Sequence, residues 1–297
     1  MIWVSDTSKQ IFSATDMYGL LVAAALLFAM QFLFNQQFRK YNGDGVDSTV
    51  TFSMYTNGIS FLILLVLSGF KLTVTWFSAL IAVIYAVALL LYSYSGLKAF
   101  ATANLSLFSI FTMLGGMLMP FAYGVIFCNE KPSIAQICCI VLIIAATLLT
   151  FEKSERKGRN LKYYLAVFVL NGTVSVLAKM HQSNQELSVD SYSFMATVNI
   201  FVFVMCLAFQ LIKNKKVTIV SFKELGSVSG YAVCSGIGNL FSLLALAKLP
   251  ASVQFPIITG GVMCFSTVIS FIRKEKPTPR TVISVVLATV STVLMMF

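Results

Sequence analysis

Charge is scarce in this chain. Only 11% of its 297 residues are Asp, Glu, Lys or Arg, against about a quarter in a soluble domain, which excludes an ordinary water-facing surface. Histidine is scarcer: the single one, His181, excludes a multi-histidine metal centre. Six cysteines (Cys128, Cys138, Cys139, Cys206, Cys234 and Cys264) lack the CxxC spacing of a redox or zinc site and read as small apolar packing residues. There is no Gly-rich phosphate loop and no nucleophile elbow. The apolar/polar alternation of a membrane β-barrel is also missing. No metal, cofactor or enzymatic activity is therefore expected.

What the chain has is apolar length. It is 58% hydrophobic with mean hydropathy +0.86, gathered in runs near the 20 residues or so that a helix needs to cross hydrocarbon. Backbone groups in lipid must be satisfied within the segment, so such runs are helices. The runs predict an all-α integral membrane protein with ten transmembrane helices, at 15–38, 49–70, 76–96, 100–126, 133–151, 161–180, 191–212, 227–247, 251–272 and 279–297.

The net charge of +10 follows the membrane rather than a nucleic acid. Of the 21 Lys and Arg residues, 16 fall in the odd-numbered connections between spans. By the positive-inside rule these connections face the cytoplasm. A multi-pass protein of the cytoplasmic (inner) membrane with both termini outside is expected, its surroundings the lipid bilayer.

The chain also repeats itself. Val46-Asp47-Ser48 returns as Val189-Asp190-Ser191, and Glu130-Lys131-Pro132 returns as Glu275-Lys276-Pro277. A charged linker at 153–159 separates a five-span unit at 1–152 from another at 160–297. An odd number of spans per unit puts the two in opposite orientations, an inverted repeat. Helix-start chemistry explains the triplets: Ser133 with Gln136 has the capping-box pattern, Thr278 precedes Pro279 at a first helical position, and Asp47 and Asp190 offer N-caps. Glu130 and Glu275 are expected to belong to the same structural caps, with a substrate or ion role as the alternative. Gly115-Gly116 and Gly260-Gly261 match at a spacing of 145, whereas Lys98 to Asn104 matches Lys248 to Gln254 at 150, so the register of the fourth and ninth helices stays open.

Two five-helix halves and a Glu-x-x-Ser/Thr step before the last helix of each half resemble the drug/metabolite transporter superfamily, specifically its EamA-type branch. The likeness spans nearly the whole chain and rests on Glu130 to Gln136, Glu275 to Thr281, Ala247 to Pro256 and the ends of spans one and six. Lys179 sits where that family often closes its sixth helix with a basic residue. Pro256 fits the ninth helix, while Ser106 stands where a fourth-helix Pro is expected. The resemblance implies a carrier of small metabolites working by alternating access, with its site between the halves. It also implies termini in the cytoplasm for many members, opposite to the charge bias here.

Polar residues inside the spans point to the same place. Gln31 and Asn35 are one helical turn apart, as are Asn171, Ser175 and Lys179 on the repeat-related helix. Such stripes either line a watery cavity or hydrogen-bond neighbouring helices, the latter contributing about 0.6–2 kcal/mol each. Tyr92 and Tyr94 could stack on a flat solute or anchor at the interface. The expected lining is Gln31, Asn35, Tyr92, Asn104, Asn171, Lys179, Asn239 and Gln254. No Asp or Glu falls deep in a span, which favours a small polar metabolite such as an amino acid over a lipophilic cation. A multidrug or cation exporter of the same fold and a non-transporting membrane scaffold or accessory subunit are the alternatives. A homodimer is possible in any of the three.

Overall fold

The computed structural model of the chain describes residues 14–43, 45–100, 105–149, 161–184, 186–272 and 279–294. Among these residues the protein is all-helical, with no strand. The helices are α1 (Ala14–Asn42), α2 (Val46–Leu67), α3 (Trp76–Phe100), α4 (Leu105–Phe127), α5 (Ile134–Leu149), α6 (Leu161–Ser183), α7 (Ser191–Asn214), α8 (Phe222–Leu246), α9 (Ala251–Ile272) and α10 (Pro279–Leu294).

Seven of them (α1–α3 and α6–α9) are long and apolar enough to cross a membrane. The apolar stretches of α4, α5 and α10 are shorter: Phe111–Phe127, Ile134–Ala146 and Val282–Ser291. Large apolar side chains such as Leu62, Ile84, Val141, Val204, Val233 and Val286 lie exposed on the outside of the bundle. On a soluble protein that much exposed apolar surface would be an interaction site; here it suits lipid contact. The linker 153–159 and the caps Glu275 and Thr278 lie outside the described residues.

Helix starts follow the capping expectations unevenly. At α5 the box forms in full: Gln136 Oε1 accepts the Ser133 N–H at 3.0 Å and Ser133 Oγ accepts the Gln136 N–H at 3.2 Å. At α7, Asp190 is the N-cap and accepts the Ser193 N–H at 2.9 Å. At α2 the expectation fails. Gly45 is the N-cap and Asp47 is already helical, so its carboxylate points away and pairs with Lys213 at the end of α7, 2.7 Å away. A Ser221–Glu224 capping box opens α8.

The helices pair mostly across the midpoint of the chain. α1 packs on α8 and α9, α6 on α3 and α4, α2 on α7, and α5 on α10. Exchanging the first five helices with the second five maps these pairings onto one another. The main core lies where α2, α3, α6, α7 and α8 meet, around Leu64, Ile81, Leu177, Phe194 and Leu240. A second core joins α1, α4, α5 and α9 around Leu21, Met117, Ile143 and Ile257. Close approach depends on small residues, as usual within a membrane. A methyl at Gly115 on α4 would overlap the Phe168 backbone of α6, and one at Gly261 on α9 would come within 2.8 Å of Ala25 Cβ on α1. Gly115 thus serves the α4–α6 contact and Gly261 the α9–α1 contact.

His181 ends buried in the main core. Its ring stacks on Phe194 at a centroid distance of 3.8 Å, and its Nε2 lies 2.9 Å from Ser78 Oγ.

Candidate functional site

The site is built from stripes of polar side chains one turn apart, which a helix projects on a single face. On α6, Asn171 donates its side-chain N–H to the Thr112 carbonyl of α4 at 2.7 Å, and Ser175 donates its hydroxyl to the Asn171 carbonyl at 3.2 Å. Thr112 Oγ1 lies 3.4 Å from the Tyr92 hydroxyl of α3. Three helices are thus linked through Tyr92, Thr112 and Asn171.

The other side of this cluster comes from α1 and α8. Asn35 accepts a hydrogen bond from Arg39 Nε at 3.0 Å. Tyr92 lies within electrostatic reach of both Arg39 and Tyr231. Tyr231 opens a second stripe on α8 with Ser235 and Asn239, and Asn239 donates to the Ser235 carbonyl at 2.8 Å. All of these residues are half-buried, on helices whose other faces carry exposed apolar side chains such as Leu26, Ile84 and Val233. Gln31 belongs to the Asn35–Arg39 stripe one turn deeper, and its Oε1 is buried with no hydrogen-bond partner. A buried amide oxygen without a donor costs about 1–3 kcal/mol, so the position is suited to a donor that arrives with water or a solute.

Lys179 lies apart from that half-buried cluster. It is buried, and its Nζ is 2.6 Å from Glu130 Oε1. Glu130 leaves the α4–α5 connection to reach the second half of the chain. There its carboxylate accepts the Ala251 N–H at 3.1 Å and the Ser252 N–H at 3.3 Å, the first residues of α9. Glu130 is thus a cap, as its sequence setting suggests, but of α9 rather than of the adjacent α5. Gln254 is also in the first turn of α9, wholly buried, with Nε2 donating to both the carbonyl and the hydroxyl of Ser242 at 2.8 Å. It ties the α8–α9 corner. Asn104 lies outside the described residues.

Sequence reasoning missed Glu130 as an interior carboxylate and missed Arg39 and Tyr231. Tyr231 had a usable signal: it stands one turn before Ser235 and two before Asn239. Glu130 had none, since its partners are 49 to 122 positions away.

No family model matches the chain, and no curated protein matches it. Solved structures do. One, described only as "Crystal structure of protein", superposes with a TM-score of 0.76, covering 95% of this chain and 98% of its own, at 13% identity. At that identity the likeness is one of fold.

Proposed function

We propose that the protein is a secondary transporter that moves a small polar metabolite, an amino acid or related compound, across the cytoplasmic membrane by alternating access. One observation carries the reading: polar side chains from α1, α3, α4, α6 and α8 converge half-buried inside an apolar bundle. Interhelical hydrogen bonding accounts for Asn171, but it leaves the buried Gln31 Oε1 without a donor, a cost that a bound solute or water would remove.

In this reading all ten helices cross the bilayer as two inverted five-helix repeats, 1–152 and 160–297, of the EamA type. The mirrored helix pairings support it. So does the end-to-end arrangement of the repeated triplets: Asp47 meets Lys213 at one end of the α2–α7 pair, and Asp190 accepts the Thr73 hydroxyl at the other. The charge bias puts the odd connections in the cytoplasm and both termini outside.

A multidrug or cation exporter is the weaker alternative. The carboxylate found inside, Glu130, is already neutralised by Lys179, so it is not offered to a cationic drug. A scaffold leaves the polar cluster without a purpose.

A thermal-shift screen of the purified protein tests the proposal. A ligand at a hundredfold its dissociation constant adds about 2.7 kcal/mol. Amino acids or similar compounds should raise the melting point, and Asn171→Leu should abolish the rise. A shift confined to lipophilic cations would hand the reading to the exporter.

A further inference from the structure

The α4–α5 connection carries a carboxylate that holds two other segments together, α6 and α9. Glu130 comes from the first half of the chain; Lys179 on α6 and the Ala251 and Ser252 amides of α9 come from the second. All three segments lie at the same end of the bundle, where α4 and α6 finish and α9 starts. Room for the carboxylate is made by Gly124, where a Cβ would sit 2.6 Å from Glu130 Oε2.

Burial changes sharply along α6. Asn171 and Ser175 are half-buried, whereas Lys179, one turn further on, is buried, as are Ala251, Ser252 and Gln254 at the start of α9. The half-buried polar stripe of α6 therefore ends at the Lys179–Glu130 pair. As a pure brace this pair is a poor choice. A buried ion pair is often no more stabilising than apolar residues of the same volume, yet breaking it by removing one partner is costly. Its components do suit a reversible contact: both charges lie near a helix end, where they can be rehydrated when they part.

We infer that Glu130 is the latch that shuts one end of the transport path, joining the two halves when the polar cluster is accessible from the opposite end. The inference rests on the alternating-access reading. When the α4–α5 connection swings away from the end of α6 and the start of α9, the carboxylate leaves Lys179 and the Ala251 and Ser252 amides together. Glu130→Gln removes the charge pairing and biases the protein toward the state open at this end.

The test reads sidedness. In a cysteine-free background, Ser175→Cys is labelled with a membrane-impermeant sulfonated maleimide in right-side-out and in inside-out vesicles. With Glu130 intact, labelling from the latched end is slow. With Glu130→Gln it should rise about tenfold or more from that end and fall from the other, as a population shift requires. Lys179→Met and Gly124→Ala, which reach the same contact by different routes, should do likewise. A lowered melting point with unchanged sidedness, or faster labelling from both ends, would make the pair a structural brace and overturn the inference. Solute uptake is followed separately. Sidedness that switches in a protein that moves no solute keeps the latch and removes the transporter. Uptake with no switch does the reverse.

Discussion

Asn171 on α6 donates its side-chain N–H to the Thr112 carbonyl of α4, and the Cβ that Gly116 lacks would lie 2.6 Å from that donating nitrogen. The two helices are locked by an amide that also faces the polar cluster. Asn171→Leu should lower stability modestly, by about 1 kcal/mol, the usual scale of an interhelical hydrogen bond in a membrane, while lowering transport at least about tenfold. Melting curves and uptake measured together separate the two effects. Proportional losses in both would make Asn171 a packing residue.

The two Val-Asp-Ser triplets look alike but should respond differently. Asp190 caps α7 through the Ser193 N–H, so Asp190→Ala should cost about 1 kcal/mol. Asp47 makes an ion pair in which about half of each side chain is exposed, and Asp47→Ala should cost less than about 1 kcal/mol, falling further as salt is added. Denaturation of both variants at low and high salt checks the contrast.

Glycine substitutions should divide by contact. Gly115→Ala places a methyl against the Phe168 backbone, which cannot yield as a flexible side chain would, and should cost several kcal/mol or prevent folding. A Cβ at Gly226, near the start of α8, meets nothing within 4 Å. Gly226→Ala should be neutral or stabilising by about 0.5–1 kcal/mol. Expression level and melting temperature decide.

His181 should matter to stability rather than to chemistry. It stacks on Phe194 and bonds Ser78 in the main core, so His181→Ala should destabilise by about 3 kcal/mol or more, as loss of a large buried side chain does. Chelators should leave wild-type uptake unchanged. Inhibition by chelation would contradict a purely structural histidine.

The helices themselves were legible because long apolar runs satisfy their backbone groups as helices: ten such runs in the sequence coincide with α1–α10 to within a few residues at most ends, seven of them long and apolar enough to cross a membrane. The Ser133–Gln136 box was legible because its partners are three residues apart. The Ser221–Glu224 box has the same spacing and was readable but unread. Asp47 was misread because helix-start composition does not say which residue stands at the cap; here Gly45 takes that position and Asp47 is freed for Lys213. Glu130 and Gln254 show the larger limit. Composition marks both as polar groups near helix starts, but whether each caps, pairs or lines a path depends on which helix the other half brings alongside. For Glu130 that neighbour lies 121 residues away in the chain.

The most direct measurement is counterflow in proteoliposomes preloaded in turn with amino acids, organic acids, sugars and choline-like cations. The account predicts saturable exchange of one polar class, lost in Asn171→Leu and kept in Thr289→Ala, whose hydroxyl bonds the Val285 carbonyl within α10. Exchange of no solute by well-folded protein, or equal loss in the two variants, would contradict it.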